Sequence, residues 1–212
     1  FGLYLKYASA TVNTFALSTS NKTIVIDPGH GGFDPGKVGN QGTLEKDINL
    51  NIALKLRSYL QQSGAYVVMT REEDTDLDGD NTKSLKKQDM LNRVNMINDS
   101  GGDVLVSIHQ NAFPDGRVRG AQVFYYEVSK EGESLASSIQ EAIRTYADKE
   151  NKRVHKSNTD YYMLKTTKIP SVIVECGFLT NSQEEDKLNT DKYQEEIAWS
   201  IYLGIIEYFE TE

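Results

Sequence analysis

The sequence predicts a single α/β domain in which helices flank a mixed, mostly parallel central sheet. Short apolar runs typical of strands alternate along the chain with longer segments of helical periodicity, as in this fold class. The chain has 212 residues, 38% of them hydrophobic, which is enough for one substantial core. Residues 1–21 are predicted to be a lead-in or stalk segment, and residues 22–212 to form the domain.

The lead-in is indicated by composition, since Ser, Thr, Ala and Asn are frequent from Ala8 to Asn21. A short helix packed on the domain is the alternative interpretation. The longest apolar stretches fall well short of the roughly 20 residues that a membrane-spanning helix needs. Membrane attachment is therefore expected only through a segment upstream of this chain, if any.

The first half of the chain is predicted to hold three strands and two helices. Apolar runs indicate strands at Thr23–Asp27, Tyr66–Thr70 and Val104–His109. Apolar side chains at helical spacing indicate helices at Glu45–Gln62, through Ile48, Ile52, Leu56 and Tyr59, and at Lys86–Ser100, through Met90, Val94 and Ile97. The glycine-rich stretch from Pro28 to Thr43 is predicted to be a loop.

The second half is predicted to add three strands and two helices. Strands are expected at Ala121–Glu127, at Tyr161–Leu164 as a short element, and in the apolar run that Pro170 introduces and Glu175 closes. Helices are expected at Gly132–Asp148 and Asp191–Glu210, where apolar residues repeat every three or four positions. The polar stretch Asn151–Asp160 is given no element.

An acidic loop is predicted between the second strand and the second helix. Its aspartates Asp74, Asp76 and Asp78 precede a glycine, as in a calcium-binding loop. Such a loop also needs a glutamate six residues after the glycine, and Leu85 stands there. A solvated acidic loop is therefore favoured over a calcium site.

Composition argues against a nucleic-acid-binding surface and excludes an internal disulfide. The net charge of −8 is unfavourable for a nucleic-acid-binding surface, so no nucleic-acid partner is expected. Cys176 is the only cysteine, so the chain cannot form an internal disulfide. A buried thiol is favoured over a cysteine nucleophile, which would need a base nearby.

Four side chains that can bind or activate a metal-bound water lie where strands end or helices begin. His30 follows the first strand in a glycine-rich turn, Glu45 opens the first helix, His109 closes the third strand and Glu175 closes a later one. Two imidazoles and one carboxylate can hold a zinc ion, and a second carboxylate can take a proton from water. The chain is therefore predicted to be a zinc hydrolase.

Simpler interpretations of these residues remain open. A histidine at a strand end can be structural, and Glu45 can stabilise the helix dipole from the first turn. Asp27 can accept the second ring N–H of His30 and fix its tautomer, or it can cap a turn. His155 lies in a basic, polar stretch, where it is either a substrate contact or a flexible surface residue.

The four segments together resemble the zinc-dependent N-acetylmuramoyl-L-alanine amidases of the Amidase_3 family. The resemblance is carried by Ile26-Asp27-Pro28-Gly29-His30-Gly31-Gly32, Leu44-Glu45-Lys46-Asp47, Ser107-Ile108-His109-Gln110-Asn111-Ala112 and Pro170-Ser171-Val172-Ile173-Val174-Glu175-Cys176-Gly177-Phe178-Leu179-Thr180-Asn181. It spans about Thr23 to Phe209 and is closest to the short CwlD type, which is associated with the spore cortex and germination.

The resemblance implies a catalytic domain at residues 22–212 in which His30, Glu45 and His109 bind one zinc ion and Glu175 is the catalytic carboxylate. It implies hydrolysis of the amide between the lactyl group of N-acetylmuramic acid and L-alanine of the peptidoglycan stem peptide. In the CwlD type this step leads toward muramic-δ-lactam in the spore cortex. An extracytoplasmic location, at the cell envelope or the forespore cortex, follows.

Other residues are assigned weaker roles. Asn111 is expected to bind substrate or to order the residues around the metal ligands. Arg71 or Arg93 would orient carboxylates of the site or substrate, with surface or helix-pairing roles as the alternative.

Three other functions remain open. They are a module that binds peptidoglycan or zinc without turnover, a different zinc peptidoglycan hydrolase, and an enzyme whose site an activator or spore-envelope accessory protein completes. The last is credible because family members are often regulated by activator proteins.

Overall fold

The computed structural model, which describes residues 18–77 and 85–211, arranges six strands in one sheet. The strands are β1 (Thr23–Pro28), β2 (Tyr66–Met69), β3 (Val104–Asn111), β4 (Gln122–Tyr126), β5 (Lys156–Asn158) and β6 (Ser171–Phe178). Their order is β2-β1-β3-β6-β4-β5, and β4 pairs with β6 antiparallel while every other pairing is parallel. The predicted mixed, mostly parallel sheet is confirmed.

Helices cover both faces of this sheet. They are α1 (Glu45–Gln62), α2 (Leu85–Asp99), α3 (Lys130–Ala142), α4 (Tyr162–Thr166), α5 (Ser182–Leu188) and α6 (Asp191–Thr211), and a π-helical turn at Ile143–Ala147 continues α3. The larger core packs α1, α3 and α6 against one face, and smaller clusters place α2 and α4 against the other. Alternation along β1 sends Ile24 and Ile26 to the larger core and Val25 to the α2 side.

The central strands bring the predicted site residues to one edge of the sheet. β6 is buried along its whole length, which explains its near-continuous apolar sequence. β1, β3 and β6 are adjacent and parallel, and the register places His109 beside Glu175. Because parallel strands end at the same edge, side chains at their carboxyl ends meet there.

Some sequence-based assignments are wrong in detail. The segment Tyr161–Leu164 is not a strand, because Tyr162 begins the short helix α4. The Asn158 side chain accepts hydrogen bonds from the backbone N–H groups of Asp160 and Tyr161, and this turn leads into α4. Strand β5 and helix α5 were not predicted, since both are short and largely polar.

The last residues of the predicted lead-in contact the domain. Thr19 is fully buried and its hydroxyl donates to Ser63 Oγ at 2.9 Å, while Ser18 Oγ donates to the Ile206 carbonyl at 3.1 Å. The rest of the lead-in and part of the acidic loop, residues 1–17 and 78–84, lie outside the described residues. Within the described ranges, no helix combines the length and apolar character needed to cross a membrane.

Candidate metal centre

Three of the predicted ligands form one cluster at the carboxyl edge of the sheet. One donor atom from each of His30, Glu45 and His109 lies within 4.8 Å of the others. Glu45 Oε1 lies 3.3 Å from His30 Nε2 and 3.0 Å from His109 Nδ1. The turn after β1, the start of α1 and the end of β3 each supply one of these side chains.

Backbone geometry in the turn after β1 lets the two imidazoles approach each other. His30 adopts a positive φ of 61°, which is unusual for a residue other than glycine. A Cβ atom at Gly29 would lie 2.2 Å from His109 Nε2, so only glycine leaves room for that ring. The ring centroids of His30 and His109 are 5.0 Å apart.

Asp34 fixes the orientation of His30. Asp34 Oδ2 lies 2.8 Å from His30 Nδ1, so Nδ1–H donates to the carboxylate and Nε2 faces Glu45. Lys86 Nζ, from α2, donates to the other oxygen of Asp34 at 2.7 Å. The tautomer-fixing role suggested for Asp27 is therefore filled by Asp34, which the sequence analysis missed. The sequence feature that could have indicated this role of Asp34 is its position four residues after a histidine in a loop.

Glu45 is held by donors from three segments. Its Oε2 accepts from the backbone N–H of Lys37 at 2.7 Å, and its Oε1 accepts from that of Gln110 at 3.0 Å. Asn49 Nδ2 lies 3.5 Å from the same Oε1, and Gln110 Nε2 donates to Asn49 Oδ1 at 3.1 Å. These contacts leave the carboxylate little freedom to rotate.

The residues of the cluster shift the pKa values of one another. Burial raises the pKa of Glu45, but hydrogen bonds and charge from His109 and His30 outweigh this and lower it well below its usual range. Burial lowers the pKa of His30, but Glu45 and Asp34 outweigh this and raise it to about 9. Two imidazoles and a carboxylate are a donor set that suits a divalent transition metal.

Glu175 is the second carboxylate, and it lies beside His109 on the neighbouring strand. It is 8% exposed, and its Oε2 is buried without a hydrogen-bond partner among the described residues. Burial raises its pKa to about 7. It helps line a cavity of about 110 Å³ with His109, Tyr161 and Met163. A buried acceptor without a partner beside a ligand cluster fits a metal site with room for a further ligand.

Two buried arginines hold the turn that carries His30. Arg93, from α2, is 1% exposed and donates to Asp27 Oδ1 at 2.8 Å and to the His30 carbonyl at 2.6 Å. Arg71 is 3% exposed and donates to the carbonyls of Pro28, Gly29, Lys46 and Glu73. The surface role considered for Arg71 is wrong, since its guanidinium binds backbone oxygens inside the protein.

Asp27 belongs to the group of residues that hold the turn carrying His30, and not to the His30–Glu45–His109 cluster. It is fully buried and accepts from Thr70 Oγ1, Ser107 Oγ and Arg93. Burial raises its pKa, but the Arg93 charge and both hydroxyls outweigh this and lower the pKa to about 2. It therefore remains ionised across the physiological range.

Two further predicted residues have other partners in the structure. The side chain of Asn111 accepts a hydrogen bond from the next backbone N–H, that of Ala112, at 2.8 Å. The ring of His155 lies 5.8 Å from that of Tyr125, which belongs to the larger core on the α3 side of the sheet. Their substrate contacts remain predictions. In the acidic loop, Asp74 pairs with Lys46 at 2.6 Å.

Comparison with known proteins agrees with this geometry. The Amidase_3 profile, described as N-acetylmuramoyl-L-alanine amidase, matches residues 24–207. The germination-specific N-acetylmuramoyl-L-alanine amidase of Bacillus subtilis is 43% identical over 92% of this chain and 83% of its own length.

Solved structures give the same result. The CwlD amidase of Clostridioides difficile, solved in complex with the GerS lipoprotein, is 43% identical, with a TM-score of 0.88 over 91% of this chain and 100% of that one. An N-acetylmuramoyl-L-alanine amidase of Clostridium difficile 630 is 34% identical, with a TM-score of 0.80 over 91% and 99%. The chain belongs to the Amidase_3 family of N-acetylmuramoyl-L-alanine amidases.

Proposed function

We propose that this chain is a zinc-dependent amidase that removes stem peptides from peptidoglycan of the spore cortex. The bond cleaved joins the lactyl group of N-acetylmuramic acid to L-alanine. The observation that supports this most directly is the His30–Glu45–His109 cluster beside the buried, unpartnered oxygen of Glu175. The likeness to a germination-specific amidase supports the cortex as the site of action.

The zinc ligands would be His30 Nε2, His109 Nδ1 and a Glu45 carboxylate oxygen. When bound, zinc supplies a Lewis acid that acidifies water and polarises a carbonyl. Glu175 Oε2 would accept the proton of the attacking water and return it to the leaving alanine amine.

Two alternative functions predict different products. A module that binds peptidoglycan without turnover releases nothing, although all four functional positions are intact in this chain. A carboxypeptidase or deacetylase shares the zinc chemistry but cuts another bond. Only the amidase yields a free lactyl carboxylate together with a stem peptide that begins at L-alanine.

An accessory protein is proposed as a partner of this enzyme in an extracytoplasmic compartment, where peptidoglycan lies. The support is the CwlD relative, which was solved in complex with a lipoprotein. Full activity of the purified chain with zinc alone would refute a requirement for such a partner.

The test is digestion of purified cortex peptidoglycan with the chain and added zinc, followed by mass spectrometry of the released products. Wild type is expected to release L-alanine-terminated peptides. Glu175→Gln should lower the rate by about 10²- to 10⁴-fold, because the amide cannot accept the proton. His109→Ala should also lose bound zinc, measured by metal analysis.

The matched control is Glu141→Gln, an exposed carboxylate that pairs with Arg144 on the surface. It should retain wild-type activity. Equal rates for wild type and Glu175→Gln, or products from a different bond, would refute the proposal.

A further inference from the structure

A tyrosine hydroxyl contacts the carboxylate that is proposed as the general base. Tyr161 Oη donates to Glu175 Oε1 at 3.5 Å, whereas Glu175 Oε2 has no hydrogen-bond partner among the described residues. The two oxygens of this carboxylate are therefore not equivalent. One oxygen is engaged by the protein, and the other keeps its lone pairs for a ligand or for water.

The backbone of Tyr161 is fixed by the turn that precedes α4. Its N–H donates to Asn158 Oδ1 at 2.7 Å, and its carbonyl accepts from the N–H of Lys165 at 3.1 Å as the helix begins. Asn158 is the last residue of β5, which pairs with β4, and β4 pairs with β6. The backbone of Tyr161 is thus tied to the sheet that carries Glu175.

The ring of Tyr161 is held edge-on against Phe124. The two ring centroids are 5.5 Å apart and the ring planes are 85° apart. Phe124 on β4 pairs with Ile173 on β6, and Tyr161 packs against the small apolar cluster that contains both. Ile173 and Glu175 lie two residues apart on one strand, so their side chains share a face of the sheet. With its backbone and its ring both held, Tyr161 has little freedom to swing away from Glu175.

The surroundings of this contact favour a strong hydrogen bond. Tyr161 and Glu175 line the cavity of about 110 Å³ together with His109 and with apolar side chains from α2, α4 and β6. Burial and the charge of Glu175 raise the pKa of Tyr161 to about 12, so the hydroxyl keeps its proton and remains a donor. A hydrogen bond in such a low-dielectric setting is electrostatically stronger than one in water.

We propose that Tyr161 is a positioning residue for the amidase reaction, whose hydroxyl holds Glu175 Oε1 and leaves Oε2 as the oxygen that exchanges a proton with water. This rests on the proposed function, which makes Glu175 the general base. Without the hydroxyl, the carboxylate is freer to rotate about its last bond. A base must lie within hydrogen-bond reach of the proton that it takes, so a freer carboxylate lowers kcat without changing how the peptide binds.

The test is steady-state kinetics of Tyr161→Phe on a soluble muramoyl peptide in the presence of zinc, with released peptide measured by mass spectrometry. The substitution removes one oxygen and keeps the ring that packs on Phe124. We expect kcat to fall about tenfold, the lower end of the effect of a hydrogen bond to a charged group, because the contact is long. KM should change by less than about twofold.

Tyr126→Phe is the matched control. Tyr126 packs against the same small apolar cluster as Tyr161, but it follows Tyr125, which pairs with Val172 near the start of β6, away from Glu175. This variant should keep the wild-type kcat. Both variants should keep the wild-type urea midpoint and bound zinc, so a loss confined to kcat separates positioning from a structural role.

A second measurement asks whether Tyr161 acts through Glu175. In the Glu175→Gln background, Tyr161→Phe should change the residual rate by less than about twofold, because the base that it orients is absent. An equal loss in both backgrounds would mean that the hydroxyl acts independently of Glu175, and would overturn the proposal. So would an equal loss in Tyr126→Phe, or a raised KM or lowered urea midpoint in place of the loss of kcat.

The positioning role and the amidase function fail in different ways. If the wild type releases no peptide, the amidase is refuted and the positioning role with it. If the wild type releases peptide at a rate that Tyr161→Phe leaves unchanged, only the positioning role is refuted.

Discussion

Replacing Arg93 by methionine is expected to cost more stability than any surface charge change. The side chain is 1% exposed and pairs with Asp27, which is fully buried. Methionine fills similar space but supplies no donor, so Asp27 would remain charged without a cation. The carbonyls of Pro28 and His30 would also lose a donor.

The size of the effect follows from the burial of this pair. Removing one partner of a buried ion pair costs about 3–5 kcal/mol, because the remaining charge is left uncompensated. The exposed pair of Arg57 with Glu72 is the comparison, since its side chains are 30% and 64% exposed. Arg57→Met should cost less than about 1 kcal/mol.

Urea unfolding of metal-free protein, followed by circular dichroism, measures both free energies of unfolding. Asp27→Asn combined with Arg93→Met should be less destabilising than Arg93→Met alone, because the fully buried charge of Asp27 is then gone. A loss below about 1 kcal/mol for Arg93→Met would refute the reasoning. A double variant that is no more stable than the single one would refute it as well.

Two further predictions concern acid stability and metal affinity. The pKa of Asp27 is about 2 in the folded chain, against an ordinary value of 3.8. This difference contributes about 2 kcal/mol to the free energy of unfolding. The contribution is fully present above about pH 4 and is lost as the pH falls through about 2. Urea midpoints from pH 5 to 2 should fall less steeply in Asp27→Asn, and parallel slopes would contradict this. Asp34→Ala should weaken zinc binding about 10- to 100-fold, because the His30 ring loses the acceptor that orients it. Competition with a chelator measures this, and unchanged affinity would count against the orienting role.

The sequence predicted the residues of the His30–Glu45–His109 cluster because two of them follow strong apolar patterns and the third opens a clear helical one. β1, β3 and β6 are buried on both faces, so their apolar runs are unmistakable and their ends are well defined. The first residue of α1 was also predicted correctly. Neighbouring parallel strands end at the same edge of the sheet, so the residues that follow these strands are expected to lie close together.

The supporting residues were harder to predict, because their roles depend on how loops fold. Asp34 reaches His30 only because the glycine-rich turn bends back. No periodic pattern in the sequence indicates such a bend. Charged residues are mostly exposed, so the sequence offered no reason to bury Arg71 or Arg93 completely. The short helix α4 follows a side-chain turn at Asn158, which outweighs the local strand propensity of Tyr161 and Tyr162.

The sheet order has a consequence for when this enzyme becomes competent. His30 and Glu45 are near each other in sequence, but His109 reaches them only after β3 has paired with β1. A partly folded chain in which β3 has not yet paired with β1 therefore lacks the complete His30–Glu45–His109 cluster. Zinc bound at the proposed site would therefore stabilise only the assembled fold, by mass action.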